Sequence, residues 1–72
     1  MGDFTIVSVV VKKGRVVNLL VSESEKEGIE HAQYCLENYG EDEGVTEIAV
    51  FKYNDDGLIE ILCDLSGEIR NK

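Results

Sequence analysis

Four β-branched and aliphatic runs surround a single amphipathic stretch, and in every run apolar side chains occupy both alternating sets of positions. Successive side chains of a strand point to opposite faces, so a sheet covered on one side needs apolar residues only at every second position. Here Ile6 and Val10 oppose Val7, Val9 and Val11, while Val17, Leu19 and Val21 oppose Val16 and Leu20. Ile48 and Val50 oppose Ala49, Phe51 and Tyr53, and Ile59, Ile61 and Cys63 oppose Leu58 and Leu62. One helix covers one face. A bare apolar face is rare on a monomer and marks an interface. The pattern predicts a homodimer in which a second copy stacks on the helix-free face, with Val7, Val9, Val11, Phe51 and Tyr53 in the contact. The competing expectation is a curled sheet that the helix and tail cover more fully.

The elements follow from local signals. Residues 3–12 read as a strand, Lys13-Gly14 as a short turn and residues 15–21 as the antiparallel partner. Ser22-x-x-Glu25 and Ser24-x-x-Glu27 both fit a capping box, and a helix is expected over residues 25–38. Ile29, Ala32, Cys35, Leu36 and Tyr39 form its core stripe, and Gly40 stands where a left-handed cap is wanted. Glu41-Asp42-Glu43-Gly44 is a loop, residues 45–53 a third strand, Asn54-Asp55-Asp56-Gly57 a turn and residues 58–63 a fourth strand. The expected fold class is α+β, a four-stranded antiparallel sheet with one helix on one face in the order ββαββ. Residues 1–72 make one small domain, with 64–72 expected as a frayed polar tail. Two hairpins can pair through either edge, so strand order is left open.

Charge is the second constraint. The chain carries net −8, and between Ser22 and Glu47 lie nine acids against the single base Lys26. Such a field repels phosphates, so direct nucleic-acid binding is not expected. No apolar run approaches the roughly 20 residues of a membrane span, and no leader pattern is visible, so the expectation is a soluble, cytoplasmic protein without membrane contact. Two cysteines, Cys35 and Cys63, make no disulfide framework.

Motifs for chemistry are scarce. His31 and Cys35 stand four apart on the helix, a spacing two metal ligands can share, with Cys63 the one further soft ligand. The helical stripe places His31 on the wet side and Cys35 beside the core, so the expectation is a surface histidine and a small buried thiol rather than a metal site or cofactor. No Gly-x-Ser-x-Gly, Cys-x-x-Cys or phosphate-cradling glycine loop is present. Asn54-Asp55-Asp56-Gly57 lacks the acid an EF-hand needs at its twelfth position, since Lys52 and Cys63 occupy the first and last ligand positions. Lys12, Lys13 and Arg15 cluster at the first hairpin tip, without the interleaved aromatics of a nucleic-acid footprint.

The helix offers a surface instead. Tyr34 lies opposite the core stripe among acids, and tyrosine is favoured at interface hot spots. The expected partner-binding residues are Tyr34, Glu27, Glu30 and Glu37, with Glu41 and Glu43 alongside. These features predict a small acidic, non-enzymatic interaction or regulatory protein that binds itself and another protein. Two alternatives are a nucleic-acid mimic, whose carboxylates imitate phosphates against a DNA-binding protein, and a small-ligand or metal module built on Cys35, His31 and Cys63. In element order, size and acidic helix the chain resembles small accessory proteins of phages and prophages. That resemblance assigns no residue a role.

Overall fold

The computed structural model describes residues 3–70. Strand β1 (Phe4–Lys12) turns into β2 (Arg15–Ser22), helix α1 (Glu25–Tyr39) crosses over, and β3 (Val45–Asn54) turns into β4 (Ile59–Asp64) before a short 3₁₀ turn at Ser66–Glu68. The four strands form one antiparallel sheet in the order β2-β1-β3-β4, with β1 and β3 central. This is the expected ββαββ arrangement, and the hairpins join through their first strands.

Both tight turns are set by local chemistry. Lys13 and Gly14 have φ of 54° and 79°, the paired left-handed geometry of a type I′ turn, whose twist matches that of the flanking strands. In the β3–β4 turn the Asp56 carboxylate accepts from the Leu58 N–H at 3.0 Å, and Gly57 adopts φ 92°. The helix starts at Ser24, whose hydroxyl accepts from the Glu27 N–H at 3.1 Å. Of the two candidate boxes, Ser24 is the cap. Ser22 instead accepts from the Ser24 N–H and donates to the Glu27 carboxylate, so the serines act in series.

The helix end departs from expectation. Gly40 is right-handed, φ −64°, with its N–H bonded to the Leu36 carbonyl. A side chain there would crowd that carbonyl and the Leu36 side chain, so closeness rather than positive φ is what glycine supplies. The segment expected to fray is instead tied down as far as Arg70. Leu65 N–H reaches the Ile48 carbonyl at 2.8 Å, Arg70 N–H reaches the Gly40 carbonyl at 2.6 Å, and Leu65 and Ile69 pack on the core. Residues 71–72 lie outside the described range.

The core is small. Ile6, Val10, Ala32, Cys35, Val45, Ile48 and Val50 are buried between α1 and the central strands, ringed by Phe4, Leu36, Tyr39, Leu62 and Cys63. Bulges correct two groupings that strict alternation gives, because one extra residue inverts every side chain beyond it. The irregularity beside Val10 pairs Val11 with Val16, which puts Val16 with the helix-free set. The one beside Val50 pairs that residue with Cys63, which separates Cys63 from Ile59 and Ile61 and packs it against the core.

Candidate functional site: a bare sheet face and a polar core network

The helix-free face presents rows of apolar side chains across all four strands. Val21, Val7, Phe51 and Ile61 stand in one row, and Leu19, Val9 and Ala49 in the next. Tyr53 and Ile59 extend it at one end, Val16 and Val11 at the other. At the edges these side chains are largely open to solvent, with Val21 59 %, Leu19 54 %, Ile59 59 % and Ile61 65 % exposed. Val7, Val9, Val11 and Phe51, on the two central strands, are half-buried. The described part of the tail packs on the helix side, against the core cluster, and so leaves this face open. Charge stands at the margins: Glu47 lies opposite Val11, Asp64 opposite Ala49, and Asp3, Glu23 and Asp55 gather beside Thr5 and Tyr53.

On the other side of the sheet, the acids expected to meet a partner (Glu27, Glu30, Glu37, Glu41 and Glu43) are all exposed. Tyr34 is 63 % exposed among them. Lys26 reaches Glu30 at 3.9 Å, one helical turn away and wide open to water, where such a pair contributes little. At the open end of the sheet Lys52 bonds Glu25 at 2.9 Å and lies 4.5 Å over the Phe4 ring. The Glu25 hydrogen bond raises the Lys52 pKa.

His31 is where the sequence expectation fails. It is turned to the sheet and half-buried, with Nδ1 2.7 Å from the Ser8 hydroxyl and Nε2 3.0 Å from the Asn18 side-chain oxygen. Asn18 in turn donates to the Tyr39 hydroxyl at 3.3 Å. One tautomer satisfies all four groups: Nε2–H donates to Asn18, and Nδ1 accepts from Ser8. The neutral imidazole fits, and burial lowers its pKa. Ser8 is completely buried in a strand that otherwise packs valines and Ile6, and without His31 its hydroxyl would have no solvent to turn to.

The arrangement has the atom types of a nucleophile beside a base, but not the access. Ser8 and Cys35 are both fully buried, and burial raises the Cys35 thiol pKa, the reverse of what an activated thiolate needs. Cys35 Sγ lies 3.5 Å from His31 Nε2, while Cys63 packs at the core's other side. Among the described residues no three His, Cys, Asp or Glu side chains gather in a metal-holding group. The network ties β1, β2 and α1 together. Its sequence signal was available: Ser8 and Asn18 are lone polar residues inside apolar strand runs, each needing a partner.

No helix among the described residues is long and apolar enough to cross a membrane. No family model matches the chain, and no curated protein or solved structure matches it.

Proposed function

We propose that this protein works by surface association rather than chemistry, as a non-enzymatic interaction protein whose helix-free sheet face docks another protein chain. The observation that supports this is the contiguous apolar face, with Val21, Leu19, Ile59 and Ile61 each more than half exposed. Water is displaced from such a surface at a gain of roughly 25 cal/mol for each Å² covered. A photo-crosslinking residue in place of Ile61 tests it directly. The expected result is a covalent adduct to a protein chain in cell extract; no adduct, with the fold intact, removes the reading.

The acidic helix face then points away from the docked chain and takes a second partner through Tyr34, Glu27, Glu30 and Glu37. Tyr34→Ala is expected to leave unfolding free energy within about 0.5 kcal/mol, as for most exposed positions, while weakening capture of that partner. Unchanged capture together with a larger stability loss would make Tyr34 structural. A second reading, favoured by the outward carboxylates at Glu27, Glu30, Glu37, Glu41 and Glu43, is mimicry of nucleic acid. Duplex DNA should then compete the protein off its target, and binding indifferent to both DNA and salt would end that reading.

A further inference from the structure

We infer that the chain occupying the helix-free face is a second copy of this protein, stacked sheet on sheet about a two-fold axis. This rests on the association reading above and names its occupant.

Area is the first argument. Four strands at about 4.8 Å spacing, carrying four outward rows about 6.8 Å apart, give a face of roughly 500 Å² in projection. The relief of the side chains adds to that, bringing it to the lower end of the roughly 600–1,000 Å² per partner that stable interfaces bury. It lies at the upper end of the roughly 300–600 Å² that the largest apolar patch of a monomer spans, a size that is often functional. A two-fold contact uses the same patch twice, so one face of this size suffices for both copies.

Charge placement is the second. Each copy carries net −8, which argues against approach by most routes. The helix and its acids, however, lie on the opposite side of the sheet, where α1 packs against β1 and β3. Of the central rows of the bare face, Val21–Val7–Phe51–Ile61 holds no charge and Leu19–Val9–Ala49 meets one at its β4 edge, Asp64. Stacking these faces puts sheets about 10 Å apart and both acidic helices on the outside. Their separation then exceeds the roughly 8 Å screening length of physiological salt. This face is therefore where two such acidic chains meet with least repulsion.

Sedimentation equilibrium of the full chain tests the assignment. The expected mass is twice the 8.0 kDa of one chain. Because the copies repel at long range, raising salt from about 0.02 M to about 0.5 M should tighten the dimer several-fold. A basic partner would show the opposite trend. Ile61→Glu changes a side chain that is 65 % exposed, so the monomer should keep its circular dichroism. It should nonetheless weaken the dimer at least about 100-fold, since each substitution enters twice. Leu19→Lys, at the other edge of the face, should act likewise. A dimer that survives both variants lies elsewhere and overturns the assignment. A chain that stays monomeric to about 1 mM at both salt concentrations overturns it too. In that case crosslinking from position 61 separates the two ideas: an adduct to a different protein keeps the association reading, and no adduct ends both.

Discussion

Gly28→Val is expected to destabilise the fold by about 3 kcal/mol or more, at the upper end of what overpacking costs. Gly28 is buried near the start of α1, where the helix packs against Ile6 and Val50 of the sheet. A Cβ at this position would stand 2.5 Å from Ile6 Cγ2 and 3.1 Å from Val50 Cγ1. Both neighbours are fully buried. Neither can swing away, so the helix must lift and lose its grip on the core. Replacing glycine inside a helix normally gains up to about 1 kcal/mol, but valine returns much of that through its branched Cβ. A domain of this size has roughly 3–5 kcal/mol to lose. The midpoint of thermal unfolding should fall by about 12 °C or more, read by circular dichroism. Ile6→Ala removes the clashing methyl, so its own cost should be smaller in the Gly28→Val background by about 1 kcal/mol or more. Strict additivity would show that this contact is not the cause.

His31→Leu is expected to cost about 1–3 kcal/mol at neutral pH, because the fully buried Ser8 hydroxyl loses its acceptor. Leucine fills much of the space but cannot bond. Ser8→Ala in the same chain should recover part of the loss, since removing both partners of a buried hydrogen bond is far milder than removing one. The pH dependence follows from the direction of the imidazole shift. Burial makes His31 harder to protonate in the folded state than in the unfolded state, where the value is 6.5. The unfolded chain therefore takes up the proton first on acidification. The neutral network's contribution is complete above pH 6.5 and is lost as pH falls through the lower folded value. His31→Leu lacks this dependence. Urea unfolding of both proteins at pH 7.5 and 5.0 should show the gap between them narrowing in acid. A gap of constant size would mean that His31 stays protonated or unprotonated in both states and contributes only packing.

Much of the fold was legible because its signals are local. Ser24 lies three residues before Glu27, Lys13-Gly14 accepts positive φ at both positions, and the strand runs are β-branched. The bare face was legible for a related reason. Apolar residues on both alternations of four strands, with one helix to cover them, leave a face over in almost any strand order. The acidic helix was visible as a count of charges, and the structure leaves Glu25, Glu27, Glu30 and Glu37 exposed on the helix that covers the other face.

Other features depended on register and proximity, which a single run of residues does not record. The order β2-β1-β3-β4 was chosen by which edges paired, a matter of how the helix spans the sheet. The bulges moved Cys63 to the core side and Val16 to the bare side, and each is one extra residue in a ladder with two partners. The polar network was misread from helical periodicity, because an apolar stripe counts neither glycine nor histidine. Gly28 lets the helix approach, and Ser8 and Asn18 wait on the sheet beneath His31. The sequence by itself determined the elements, their amphipathic character and the surplus apolar face, since these follow from spacing along the chain. Only the tertiary structure decided which polar groups meet, because hydrogen bonds across 23 and 13 residues of separation are set by packing distance.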